Sequence, residues 1–257
     1  MKVVILAGGM GSRISEESRY KPKPMIEIGD KPILWHIMKY YSSFGFQDFI
    51  ICCGYRGHMI KDYFVHYYMY QTDSTFDLGE SSTKVRSSKV EPWKVTLVNT
   101  GLRTLTAGRL QQVREYLGED ETFLLTYGDG VANVDLAALL DYHWKQGRIA
   151  TITTTQPPGR FGALKIGTDG RVESFREKAR KDQSWVNAGF MVFNRGIFDY
   201  LGDGSRMLEE EPFEKLVRDG EMAAYRHEGF WAPMDTMRDK EFLEGLWRDG
   251  KAPWRVW

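Results

Sequence analysis

The chain has 257 residues, with 35 Lys plus Arg against 35 Asp plus Glu and a formal net charge of zero. That length allows one large domain or two small ones, and a 42% hydrophobic content is ample for a core. Balanced charge excludes a bulk preference for nucleic acid or an anionic membrane surface, so any anion site must be a local concentration of cations.

Val3–Ala7 is an apolar, β-branched run of strand length that empties into Gly8, Gly9 and Gly11 and delivers Ser12 and Arg13. Lys21 and Lys23 follow, held by Pro22 and Pro24. A glycine loop after a strand lets backbone N–H groups approach a polyanion, since no Cβ stands in the way, and the cations add full charge where phosphate oxygens would lie. The stretch predicts a triphosphate cradle. A dinucleotide fingerprint would need its third glycine where Ile14 stands, and no P-loop run exists. An ordinary strand-to-loop turn would need neither Arg13 nor Lys23.

Pro32 opens a predicted helix with Ile33, Leu34, Ile37, Met38 and Tyr41 on one face and Gly45 as its stop. Asp48–Cys53 is a short buried strand closed by Gly54, and a second helix over 58–70 turns Ile60, Phe64, Tyr67 and Tyr68 inward. Neighbouring Cys52 and Cys53 point to opposite faces of that strand, which argues against a structural disulfide or a metal site and for a reducing setting. Residues 71–92 are polar and without strong period: a hairpin excursion, a subunit contact or a lid. Strands over 93–98 and 123–127 flank a loop of Gly, Thr and Arg residues and a helix with Leu110, Val113 and Leu117 inward; a helix over 136–144 and a strand over 149–155 follow. Strands alternating with helices at this spacing predict an α/β fold, a Rossmann-like, mostly parallel sheet flanked by helices, over 1–155.

From Pro157 the pattern changes. Residues 161–166 and 171–175 flank Thr168-Asp169-Gly170, a strong hairpin signal, and 186–193 is another strand. The stretch 156–257 reads as a smaller β-rich portion of the same domain that binds a second substrate. No apolar run is long enough to span a membrane, and the first residues enter a strand with no signal-peptide shape, so a cytoplasmic setting is expected.

Asp129, between Gly128 and Gly130 at the C-terminal end of an apolar strand, lies where open α/β sheets bind ligands. A carboxylate there, beside a phosphate cradle, suits Mg²⁺, which takes one or two carboxylates plus phosphate oxygens; Gly-Asp-Gly is also good turn chemistry. Asp235 is a second acidic candidate in an apolar segment, and it equally suits the N-cap of the helix that follows. Glu177-Lys178 and Asn187 could face a sugar phosphate. The five histidines show no ligand spacing, and Ser, Cys and His fall into no nucleophilic arrangement. Three rivals stay open: a hydride-transferring dinucleotide enzyme, a glycosyltransferase (without its usual Asp-x-Asp) and a sugar-nucleotide sensor that binds without turnover.

Taken together, Leu6-Ala7-Gly8-Gly9-Met10-Gly11-Ser12-Arg13, Lys21-Pro22-Lys23-Pro24-Met25, Gly128-Asp129-Gly130, Glu177-Lys178 and Asn187-Ala188-Gly189 resemble the sugar-nucleotide pyrophosphorylases, over essentially the full length. Lys31-Pro32-Ile33-Leu34-Trp35-His36-Ile37-Met38, Phe49 through Tyr55, Pro158 through Leu164 and Lys251-Ala252-Pro253-Trp254 are similar to the cytidylyltransferase branch. The resemblance implies a nucleotidyltransferase-type sheet and the condensation of CTP with α-D-glucose 1-phosphate to CDP-glucose and pyrophosphate, with Mg²⁺, in a cytoplasmic homo-oligomer serving dideoxysugar synthesis. dTTP or UTP, or another sugar phosphate, is the alternative within the same chemistry. By the same resemblance Leu6, Ala7, Gly8, Gly9, Met10, Gly11, Ser12, Arg13, Lys23, Thr104, Arg109 and Gly128 hold the nucleotide. Asp129 and Asp235 ligate the metal, Glu177, Lys178 and Asn187 face the sugar phosphate, and Arg13, Lys23 and Asp129 carry the chemistry.

Overall fold

Val3–Ala7 (β1) is buried along its whole length, as a strand covered on both faces must be. The structure, a computed structural model, describes residues 1–88, 90–157, 163–166, 172–176 and 184–257. Six more strands complete a central sheet: Asp48–Cys53 (β2), Lys94–Asn99 (β3), Thr122–Tyr127 (β4), Ala150–Thr155 (β5), Val186–Asn194 (β6) and Met222–Arg226 (β7). Their order is β7-β5-β6-β4-β1-β2-β3. β6 pairs antiparallel with both neighbours, and the other pairings are parallel. The sheet is therefore mostly parallel, as expected, and strands from 1–155 and from 156–257 share it.

Alternation along the strands separates two cores. Val3, Ile5, Ala7, Ile51 and Cys53 belong to one, with the helix Ile33–Ser43 (α1) and Trp254 against them. Val4, Leu6, Ile50 and Cys52 belong to the other, with Ala107 and Leu110 of the helix Thr106–Gln112 (α2). Cys52 and Cys53 thus do point to opposite faces, and burial pushes their thiols up to about 12 and about 11.

Most predicted elements lie within a residue or two of those observed. The helix expected to carry Leu110, Val113 and Leu117 ends at Gln112, however, with Leu117 in a separate 3₁₀ turn, Arg114–Leu117; three further refinements follow. Pro32 is the N-cap of α1 rather than its first residue. On the helix Gly57–Tyr70, Ile60 and Tyr67 are buried but Tyr68 is exposed, a correction: eight residues beyond Ile60 it has rotated off the inner face. The polar stretch 71–92 contains an antiparallel hairpin, Thr72–Asp77 with Ser82–Ser88. Ala163–Ile166 and Val172–Arg176 also pair as the predicted hairpin. Among the described residues no helix is long and apolar enough to cross a membrane.

Candidate active site

Parallel strands deliver their C-terminal ends to one side of a sheet, and two adjacent ends build this site. Leu6 of β1 stands in register with Tyr127 of β4, and the Gly128 N–H donates to the Leu6 carbonyl at 3.0 Å. The glycine loop after β1 and Asp129 after β4 are therefore neighbours. A short antiparallel ribbon brings in the third partner. Trp231–Pro233 pairs with Gly130–Ala132, and the Met234 N–H donates to the Asp129 carbonyl at 2.8 Å, so Asp235 arrives beside Asp129.

The helix after Asp235, Met237–Arg248, is capped by Thr236, whose hydroxyl and backbone N–H exchange hydrogen bonds with Asp239. Thr236 thus fills the capping role that the sequence offered to Asp235, whose carboxylate turns instead to two cations. Lys23 Nζ lies 2.5 Å from Asp235 Oδ1 and 2.7 Å from Asp129 Oδ2, and Arg13 Nη1 lies 2.7 Å from Asp235 Oδ2. Lys23 is buried in a short 3₁₀ turn, Lys23–Met25, set by Pro22 and Pro24, whereas the Arg13 side chain is 71% exposed. Two cations and two carboxylates close on one another at the mouth of the sheet.

Glycine is required here for measurable reasons. A Cβ on Gly8 would stand 2.0 Å from Arg109 Nη1. Gly11 has φ +64°, and a Cβ there would meet Lys23 Cβ at 3.1 Å. Arg109 is the prop beneath the loop. It is 4% exposed and donates to the Gly8 carbonyl at 3.0 Å, to Thr100 Oγ1 at 2.5 Å and to the Cys53 carbonyl at 3.4 Å. Burial works against its charged form, and no carboxylate among the described residues forms an ion pair with it. A guanidinium cation so placed adds unneutralised positive potential to the floor of the cleft above it.

That cleft, about 320 Å³, is lined by Leu6, Ala7, Gly8, Gly9, Gly11 and Ser12 from the loop. Arg13, Lys23, Thr104, Arg109, Gly128 and Asp129 complete the sequence-predicted residues found there. Met10 does not line it and is 55% exposed. A second cleft of about 250 Å³ adjoins the first, shares Arg13, Tyr127 and Asp129 with it, and contains Asn187 and Asp235. Asn187 accepts from the Gly189 N–H at 2.8 Å through Oδ1. Glu177 and Lys178 lie outside the described residues.

Several lining residues carried no sequence signal. Thr106 and Met207 stand in the first cleft, and Tyr127 in both. Tyr127 reads from sequence as one more apolar strand residue. Only the strand-end position, next to Gly128-Asp129, could have singled it out.

Residues 2–249 match the nucleotidyl transferase family. Over its full 257 residues the chain is 54% identical to the glucose-1-phosphate cytidylyltransferase of Salmonella typhimurium, all of which is covered. It is 45% identical to the probable glucose-1-phosphate cytidylyltransferase of Bacillus subtilis, again with both chains fully covered. Among solved structures, HddC from Yersinia pseudotuberculosis superposes with a TM-score of 0.71 at 22% identity, over 96% of this chain and 99% of that one, a likeness of fold.

Proposed function

The chain belongs to the nucleotidyl transferase family, and from that premise we propose that it condenses CTP with α-D-glucose 1-phosphate, forming CDP-glucose and pyrophosphate. Full-length identity of 54% and 45% to two cytidylyltransferases supports the choice of substrates. The observation that carries the chemistry is the convergence of Lys23 and Arg13 with Asp129 and Asp235 where two clefts meet. A transfer between two anions needs such a place: room for each on either side, and cations between them.

The sugar phosphate already carries an oxygen nucleophile, so no activated serine is needed. One of its phosphate oxygens bonds to the α-phosphorus of CTP as the bond from that phosphorus to the bridging oxygen breaks, and pyrophosphate leaves in line with the electron pair. Catalysis is positioning plus neutralisation of charge. The loop Gly8 to Ser12 offers backbone N–H groups to the triphosphate. Arg13, exposed and long, faces the leaving pyrophosphate, and Lys23 the α-phosphate. Thr104 and Gly128 line the nucleotide side, with Arg109 setting the loop from below. Asn187 stands on the sugar side, where the sequence also assigns Glu177 and Lys178.

The donor set fits Mg²⁺. Asp129 and Asp235 aim hard carboxylate oxygens at one point, the point Lys23 Nζ holds, and two carboxylates plus phosphate oxygens suffice for that ion. No group of three or more His, Cys, Asp or Glu residues that could hold a metal occurs among the described residues, so substrate oxygens would supply the rest. When bound, Mg²⁺ supplies neutralisation of the triphosphate charge.

The test is a turnover screen of ATP, CTP, GTP, UTP and dTTP against glucose 1-phosphate, reading pyrophosphate. CTP is expected to be preferred. Tight binding of CDP-glucose without pyrophosphate release from any pair would instead make the chain a sugar-nucleotide sensor.

A further inference from the structure

Tyr127 is the last residue of β4, two before Asp129, and its side chain is a wall common to both clefts. Its ring is held from two directions. Against one flank a Cβ on Gly189 (φ +84°) would fall 2.5 Å from Tyr127 Cδ2, so only glycine allows this approach. At the other end the hydroxyl donates to Glu209 Oε1 and accepts from Asn187 Nδ2 at 3.4 Å. The other oxygen of Glu209 accepts from Thr106 Oγ1 at 2.7 Å, and Thr106 Oγ1 accepts from the Leu208 N–H at 2.7 Å.

Thr106 begins α2, next to Thr104 and Leu105 of the nucleotide-side cleft. The backbone around 204 is pressed onto the same helix, since a Cβ on Gly108 would stand 2.5 Å from the Gly204 carbonyl oxygen. Glu209 therefore bridges two walls, the end of β4 and the start of α2. Its carboxylate meets two hydroxyl donors and, among the described residues, forms no ion pair. Beside a site that must collect anions a carboxylate repels substrate, so its cost has to be offset by what it holds in place.

We propose that Glu209 is a positioning residue for the transfer: it fixes the Tyr127 ring as the partition between the two clefts and ties that partition to α2, so that both substrates keep one spacing. This rests on the reading of the two clefts as nucleotide and sugar-phosphate sites. A misplacement of about 1 Å between reacting groups costs on the order of 10² in rate, which sets the scale of the effect.

The experiment compares Glu209→Ala, Glu209→Gln, Tyr127→Phe and the Ala/Phe double variant by steady-state kinetics and thermal unfolding. Glu209→Ala is expected to lose roughly 10- to 100-fold in kcat, with KM for CTP within about threefold, because the glycine loop is untouched. Glu209→Gln should recover most of kcat, since its amide can still accept from Tyr127 and can donate to Thr106. Tyr127→Phe breaks only one link, needs no repacking, and should fall on the same path, so the double variant loses less than the product of the single losses. A kcat near wild type for Glu209→Ala and Tyr127→Phe, with only the unfolding temperature lowered, would overturn the proposal. So would multiplicative losses, or a Gln variant as impaired as Ala. A wild-type protein that releases no pyrophosphate from any substrate pair would sink the functional reading itself, a result separate from these comparisons.

Discussion

Lys23 and Lys39 each meet a carboxylate at hydrogen-bond distance, Lys23 with Asp129 and Asp235, and Lys39 with Glu91 at 3.1 Å. Around Lys39 the partners are aromatic side chains and one carboxylate. Glu91 also accepts from the Tyr67 hydroxyl, which accepts from Trp35 Nε1 at 2.8 Å, while Trp93 stacks on Tyr67 with ring centroids 6.0 Å apart. None of these side chains lines either cleft. Around Lys23 one ammonium is shared by two carboxylates and faces the first cleft. The same pair of functional groups is a fastening where the surroundings are aromatic and lie away from both clefts. On the proposed function it is, at Lys23, an exchangeable contact, in which a phosphate or a metal ion takes either partner's place.

The sharpest way to break that contrast is Lys23→Ala. Loss of one transition-state donor is expected to cost about 10²–10³ in kcat, read as pyrophosphate release. A kcat left at the wild-type value would remove Lys23 from the chemistry and make the two lysines equivalent. The metal side of the same cluster comes next. Asp129→Asn should raise the Mg²⁺ concentration for half-maximal rate by at least about tenfold, the lower end of what even an outer partner is worth to a metal site. Lys23→Met should let Mn²⁺ bind more tightly without nucleotide, followed by the loss of its free EPR signal, because the ammonium no longer holds the point both carboxylates face. An unchanged metal titration in both variants would speak against ligation by this pair.

How much of this was legible beforehand follows from the physics of each element. Buried parallel strands announce themselves because both faces are apolar, and the glycine loop and Asp129 sit at strand ends that such a pattern locates. The hairpin strand Thr72–Asp77 is polar and none of its residues is buried, so no apolar alternation marks it. Tyr68 shows the limit of helical periodicity, since a residue at the margin of a face is sorted by packing and not by spacing. Arg109 is singled out only by the family resemblance, and its burial under Gly8 depends on the contact of two segments about a hundred residues apart in sequence. Glu209 lies in a polar turn like many others, and only the folded chain puts it against Tyr127 and Thr106.

Lys39→Ala should do the opposite of Lys23→Ala. Removing a charged hydrogen-bond donor to a largely buried carboxylate is expected to cost about 1–2 kcal/mol of stability, measured by urea unfolding, while kcat stays within about twofold. A large loss of kcat with unchanged stability would mean that the aromatic cluster is part of the catalytic apparatus after all, and the distinction drawn above would fail.

The smallest effect belongs to pH. Burial pushes the Glu91 carboxyl up, but hydrogen bonds from Tyr67 and Lys39 outweigh it and hold the group below its ordinary value of 4.5. A carboxyl whose folded value is depressed binds fewer protons in the folded than in the unfolded chain throughout the interval between the two values. Its contribution is therefore complete above the ordinary value and declines as pH falls through that value towards the folded one. Glu91→Gln, which keeps the shape and loses the titration, should be less stable than wild type at pH 7, by less than Lys39→Ala, and the gap should narrow once the pH drops below about 4.5. Unfolding free energies of the two proteins at pH 7, 5 and 3.5 measure this directly. A gap that stays constant across the series would show that Glu91 is held by packing, and that the aromatic cluster owes nothing to charge.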